Sequence, residues 1–265
     1  MQQVGEFEIT FLGTGTSIGI PVIGCDCPVC LSDDPFNKRL RSAIHVRTPD
    51  RCFLVDAGPD LRQQCLRAGI TELDAVLITH SHTDHIMGFD DLRRFTLGRE
   101  RSLPVYATPA SLEDLMRVFS FAFDGENRYP GYLKPDPMPV EGPFQLGSTR
   151  VIPLPVRHGK VDTVGYLFEP QGGEPLRIAY IPDLKEALPE TVEALREIDV
   201  LIIDALRHTP HPTHMNFEEA LAFADEIGAA QTWFTHIACQ IDHREVEKTL
   251  PARVRIAYDG LVLSL

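Results

Sequence analysis

Six consecutive residues, His80-Ser81-His82-Thr83-Asp84-His85, bring three imidazoles and one carboxylate together. Imidazole nitrogen and carboxylate oxygen are the donors that zinc, manganese and iron take at hydrolytic sites. A sharp loop can aim such side chains in different directions. One imidazole pair can then hold one metal ion and the Asp/His pair a second. The competing reading is a histidine-rich surface turn. It fits poorly with the apolar run Ala75-Val76-Leu77-Ile78-Thr79, which reads as a buried strand delivering the cluster to its tip.

A two-metal site needs more ligands than this cluster supplies, and isolated residues downstream share one habit. His158 follows Leu154-Pro155-Val156-Arg157, Asp183 follows Ile178-Ala179-Tyr180-Ile181-Pro182, and His236 follows Trp233-Phe234-Thr235. Each closes an apolar, strand-like run, and strand ends gathered on one edge of a sandwich would converge. Two divalent ions sharing a water lower its pKa, so that hydroxide exists near neutral pH, and they polarise a phosphoryl or carbonyl oxygen. Asp56 closes the strand Cys52-Phe53-Leu54-Val55, where it is expected to hold an imidazole N–H behind the ligands. A plain turn residue is its other reading. Asp183, Asp84 and His214 are the candidate catalytic residues. His214 stands just before a helix opened by Asn216, where partial positive charge favours anions, which suits a proton donor or phosphate contact. His208 and His211 lie in the same loop and compete with it, and a solvent-exposed His214 is the plain reading.

The loop Gly24-Cys25-Asp26-Cys27-Pro28-Val29-Cys30 offers three thiolates. A structural zinc wants four closed ligands. Cys239, three residues after His236, is the candidate fourth. A redox or disulfide loop is the alternative. Cys52 and Cys65 lie in apolar contexts and read as packing residues.

These groups need a scaffold of strand tips. Phe7, Ile9 and Phe11 alternate with polar residues, and residues 13–17 turn the chain. Residues 43–46 and 52–55 read as paired strands, followed by a helix from Pro59 to about Ala68 that Gly69 closes. A helical stretch near 90–97, a strand at 105–107 and a helix at 111–120 come next. The second half repeats this alternation, with strands at 151–156, 164–168, 177–181, 200–203 and 232–235, and helices at 189–197 and from Asn216 to Gly228. Asn216 with Glu219 resembles a capping box. Strands in both halves with helices between them predict two mixed sheets packed face to face under helices. The stretch from Phe121 to Pro143, rich in Pro, Gly and aromatics, is expected to be irregular, either as a surface connection or as an active-site lid.

A length of 265 residues suits one large domain, 1–265, better than two. Hydrophobic content of 43% and charged content of 24% are those of a soluble globular protein. No apolar run is long enough to span a membrane. Residues Met1 to Glu8 lack the basic start and apolar core of a signal peptide, so a cytoplasmic location is expected. In such a reducing compartment the six cysteines are expected as ligands or core residues. The net charge of −13 argues against a long nucleic-acid partner, which needs a broad basic face, but not against a small phosphorylated substrate.

His80, His82, Asp84 and His85, then His158, Asp183 and His236 in this order at strand ends, resemble the metallo-β-lactamase superfamily over essentially the whole chain. The resemblance implies an α/β fold, a four-layer αββα sandwich. It implies that His80, His82 and His158 hold one ion, that Asp84, His85 and His236 hold a second, and that Asp183 bridges both. The opening Leu12-Gly13-Thr14-Gly15, the cysteines 25, 27 and 30, the stretch Pro155 to Lys160 and Thr235-His236-Ile237 are similar to the branch of phosphoribosyl 1,2-cyclic phosphate phosphodiesterases. That branch pairs a manganese-supported site with a structural zinc, whose fourth ligand is a histidine where Cys239 stands here. Coenzyme pyrroloquinoline-quinone biosynthesis proteins of type B share a similar cysteine loop. Processing nucleases of tRNA 3′ ends share the catalytic motifs but normally carry a basic clamping arm, and this acidic chain shows none.

The resulting expectation is a phosphodiesterase that hydrolyses a small cyclic or activated phosphodiester by a two-metal hydroxide mechanism. It would carry two divalent ions (manganese or zinc, with iron also tolerated) and one structural zinc formed by Cys25, Cys27, Cys30 and Cys239. It would have no membrane partner, and a homodimer is expected by family analogy. The other readings are a metal-dependent hydrolase of carbonyl esters or thioesters, and a non-catalytic metal-binding accessory protein of cofactor biosynthesis.

Overall fold

Successive side chains of a strand point to opposite faces of its sheet. The computed structural model describes residues 7–98, 102–125 and 131–265. Strand β1 (Glu8–Gly13) sends Ile9 and Phe11 into the interior. It pairs antiparallel with β2 (Ala43–Arg47), and β2 pairs antiparallel with β3 (Cys52–Val55). Strands β4 (Ala75–Leu77), β5 (Leu103–Ala107) and β6 (Pro135–Pro139) continue the sheet in parallel.

The second sheet contains β7 (Phe144–Leu146), β8 (Thr149–His158), β9 (Val161–Pro170), β10 (Ile178–Ile181), β11 (Glu186–Ala187), β12 (Val200–Asp204), β13 (Gln231–Thr235) and β14 (Val254–Ile256). Its order is β11-β8-β9-β10-β12-β13-β14, with β7 beside β8, and it is parallel from β10 to β14. The chain then returns to the first sheet as β15 (Val262–Ser264), antiparallel to β1.

Helices lie outside both sheets. They are α1 (Pro28–Leu31), α2 (Leu61–Ala68), α3 (Thr83–Ile86), α4 (Pro109–Val118), α5 (Ser120–Phe123), α6 (Pro189–Ala194), α7 (Phe217–Glu226) and α8 (His243–Glu247). Phe11, Ile44 and Phe53 of the first sheet meet Tyr166, Tyr180 and Ile202 of the second in the central layer. Leu61, Leu92 and Leu115 cover the outer face of the first sheet, and Leu195, Phe217 and Phe223 cover that of the second. Strand β12 is buried on both faces: Ile202 points to the central layer, and Leu201 and Ile203 to the outer one. This explains its unbroken apolar run. The result is the αββα sandwich. The capping box at Asn216 and Glu219 forms, and Gly69 closes α2 in the left-handed region.

The irregular stretch expected from Phe121 to Pro143 is corrected in part. Short helix α5 occupies its start, and Pro135, Pro137 and Pro139 stand in β6, paired with β5. The physical reason is phase. The Lys134 carbonyl and the Val140 N–H bond to β5, so the even-numbered groups face the sheet and the prolines place their missing donors on the free edge. Such an edge resists further strand pairing. Tyr129 and Pro130 of that stretch lie outside the described residues, as does most of the Met1 to Glu8 segment. Among the described residues no helix is long and apolar enough to cross a membrane.

Candidate metal centre and active site

The His80–His85 segment leaves the tip of β4 and enters α3, where it is locked by neighbouring strand tips. Asp56, just past β3, accepts from the Thr79 N–H at 2.8 Å and from His85 Nδ1 at 2.7 Å. It does so at φ 70°, in the left-handed region, at a cost of about 1–3 kcal/mol that the surrounding bonds must offset. The Ala57 N–H donates to the His85 carbonyl at 2.7 Å. Gly58 lies so close to α3 that an added Cβ would stand 1.9 Å from the Asp84 carbonyl oxygen, so only glycine allows this approach. Asp56 therefore holds an imidazole behind the cluster, and it is no mere turn residue.

All seven expected ligand side chains converge. Nitrogens of His80, His82 and His158 form one group: His82 Nδ1 lies 2.9 Å from His80 Nε2 and 3.2 Å from His158 Nε2. Asp84, His85 and His236 form another, with Asp84 Oδ2 3.2 Å from His85 Nε2. Asp183, beyond β10, lies between them. Its carboxylate is 3.0 Å from His85 Nε2, 3.5 Å from His236 Nε2 and 3.6 Å from His158 Nε2.

The buried atoms are informative. His85 Nε2, Asp183 Oδ2 and both ring nitrogens of His236 have no hydrogen bond of proper geometry. Buried polar atoms are ordinarily satisfied. Such atoms left open, in groups whose ligand atoms lie within 4.8 Å of one another, fit cations. The residues present thus fit a pair of divalent ions.

Charge supports that fit. Burial pushes His80 well down, His158 down and His236 to about 3. Burial acts on His85 in the same direction, but Asp183, Asp56 and Asp84 overcome it and hold that ring well above its usual value. Burial would raise Asp183, yet the imidazoles of His236 and His85 keep it well below the carboxylate range. Three carboxylates, those of Asp56, Asp84 and Asp183, face the His85 ring and mark where positive charge is wanted.

The loop histidines separate. His214 is buried and stacks on His236 at 4.8 Å between ring centres, 3.7 Å from Asp183 through Nδ1. The plain exposed reading of His214 is thus corrected. His211 lies beside it with its ring tilted by 45°, at 5.0 Å between ring centres, whereas His208 turns to the surface with Glu218. Asp204, at the end of β12, accepts from His214 Nδ1 at 2.7 Å. Burial raises Asp204 to about 7 against the opposing effect of His214, while Asp204 raises His214 against burial. Asp204 was not among the sequence candidates. The available signal was the one that located Asp183, a carboxylate closing an apolar strand.

Away from this centre, Cys25, Cys27, Cys30 and Cys239 bring their sulfurs together, and none is in a disulfide. The Cys30 N–H donates to Cys27 Sγ and the Val22 N–H to Cys30 Sγ. The first of these is the main reason the Cys27 thiol falls to about 7. Burial pushes Cys239 up to about 12, so four thiolates need a cation to coexist there. This set fits a structural zinc. Cys239→Ser is expected to lower bound zinc by about one ion per chain and to depress activity, because the same segment carries His236. Elemental analysis checks this, and unchanged zinc content would refute the assignment. Cys65 packs against the outer core, but Cys52 lies over Asp74 and the Glu72 carbonyl rather than among apolar groups, which corrects its reading as a packing residue.

Comparison with known proteins agrees with this geometry. Residues 51–237 match the family described as the β-lactamase superfamily domain. The crystal structure of a diphosphatase from the PhnP family superposes with a TM-score of 0.89, is 37% identical, and matches over 98% of this chain and 97% of that one. An octanoyltransferase of Porphyromonas gingivalis is 38% identical over 94% of this chain and 50% of its own length. A ribonuclease Z of Bradyrhizobium diazoefficiens is 28% identical over 67% of this chain and 53% of its own length. The chain thus spans about half the length of these curated relatives.

Proposed function

Because the chain belongs to the β-lactamase superfamily and, within it, to the PhnP family, we propose that it is a metal-dependent hydrolase of small phosphodiesters, cyclic or activated. The observation that carries this reading is the Asp183 carboxylate set among imidazoles of both ligand groups, with buried donors left open around it. His80, His82 and His158 would hold one ion, Asp84, His85 and His236 the other, and Asp183 both. Divalent ions there supply charge to a substrate's phosphoryl oxygens and raise the acidity of water.

The chain's own groups do the rest. Asp56 fixes the tautomer and direction of His85. The Thr213 carbonyl does the same for His158 through its Nδ1, at 2.9 Å. Asp204 occupies His214 Nδ1, which leaves Nε2 as the nitrogen to meet a substrate. We assign His214 the task of protonating the leaving oxygen or orienting the phosphate. The diphosphatase relative favours a second reading, cleavage of a phosphoanhydride, since the same groups serve a P–O–P link. The substrate is proposed to be small because the chain is acidic.

The test is turnover by manganese-loaded protein of bis(p-nitrophenyl) phosphate, a five-membered cyclic phosphodiester, a diphosphate ester and a thioester. Preference for the phosphodiesters is expected. Faster turnover of the diphosphate would favour the second reading. Turnover of the thioester alone would move the chemistry to carbonyl carbon, and none at all would leave a binding protein.

A further inference from the structure

The turn that carries His236 is shaped by groups far from the imidazoles. His236 sits at φ 59°, a left-handed conformation, and its ring makes no hydrogen bond that could hold it there. The next residue does the holding. The Ile237 N–H donates to the Thr14 carbonyl at 2.9 Å, and the Ile237 carbonyl accepts from the Thr16 N–H at 3.0 Å. Thr14-Gly15-Thr16 is therefore a template for the His236 turn.

Asp259, near the other end of the chain, fixes that template. Its Oδ1 accepts from the Thr14 N–H at 3.0 Å and from the Thr14 hydroxyl at 2.8 Å. Its Oδ2 accepts from the Leu40 N–H at 2.8 Å and from Arg67 Nη1 at 3.1 Å. Leu40 in turn accepts the Gly15 N–H through its carbonyl, at 2.8 Å. From the opposite side the buried guanidinium of Arg39 donates to the Thr14 hydroxyl at 2.7 Å and to the Ala257 carbonyl at 2.6 Å. Thr14 is thus pinned through its N–H and hydroxyl, while its carbonyl is left to Ile237.

We infer that Asp259 is a positioning residue for the Asp84, His85 and His236 group, acting through the Thr14 and Ile237 backbone, and that ion affinity at that group depends on it. The inference rests on the proposed function only in requiring that this group binds an ion. A carboxylate with four donors around it cannot be replaced by an amide without loss, since the amide nitrogen would face a donor.

The experiment titrates full-length chain with zinc against a competing chelator and compares wild type, Asp259→Asn, and Leu195→Ala as a core variant that loses stability elsewhere. In Asp259→Asn one of the ions beyond the cysteine site is expected to bind about 10- to 100-fold more weakly, the loss seen when groups behind metal ligands are removed. The other ions should bind as in wild type. Leu195→Ala, even with an equal or lower Tm, should keep wild-type affinities. Unchanged affinities in folded Asp259→Asn overturn the inference, and so does an equal loss in Leu195→Ala, which would mean general loosening. If Asp259→Asn does not fold, Thr14→Val is judged by the same criteria, because it keeps its shape and loses the hydroxyl that Asp259 and Arg39 share. A wild-type chain that binds no ion beyond the cysteine site overturns the functional reading itself.

Discussion

Asp183→Ala is expected to remove hydrolysis of bis(p-nitrophenyl) phosphate, with kcat/KM falling by about 10³-fold or more, the upper end of what deleting one preorganised electrostatic group costs. The size follows from position. This buried carboxylate lies within 3.0–3.7 Å of nitrogens on His85, His236, His158 and His214. Among the described residues it is the carboxylate that both ligand groups share. Without it, imidazoles from opposite sides face one another across a cavity with no negative charge between them, and cations there repel with less to offset them. Bound-ion content should fall with activity, and the cysteine site should keep its zinc because it lies in a separate cluster. Asp183→Ala that retains wild-type turnover would end the reading of Asp183 as the carboxylate on which both ligand groups depend.

Asp204→Asn carries the second large effect. The amide preserves shape but cannot hold positive charge on His214 as the carboxylate does. A group that donates a proton to a leaving oxygen typically contributes 10²–10⁴-fold, so kcat is expected to drop about 10²-fold with KM little changed. The leaving group supplies the internal control. An alkyl phosphodiester needs a proton on its departing oxygen, whereas p-nitrophenolate departs without one. The deficit should therefore be large on the alkyl ester and small on the p-nitrophenyl ester. Equal deficits on both would assign Asp204 and His214 to phosphate orientation instead.

Much of this molecule is legible residue by residue. Strand-like runs that end in His or Asp locate His80, His158, Asp183 and His236 because a buried strand has few ways to end except at a sheet edge. Helix ends are legible for a local reason: Gly69 and the Asn216–Glu219 pair satisfy backbone groups within a few residues. The Pro-rich stretch from 121 to 143 misleads because proline content says nothing of phase. Only pairing with β5 shows that residues 135, 137 and 139 all face outward.

The sequence by itself determined the ligand types, their placement at strand ends and the sandwich of two mixed sheets, since these rest on spacing and on periods of two and 3.6. Tertiary structure alone decided which of His208, His211 and His214 meets the site and that Asp204 stands behind it. It also decided that Asp259 reaches Thr14 across 245 positions to shape the His236 turn. Hydrogen bonds and charge act over a few ångströms of space. Contacts between residues far apart in the chain exist only once the two sheets have packed.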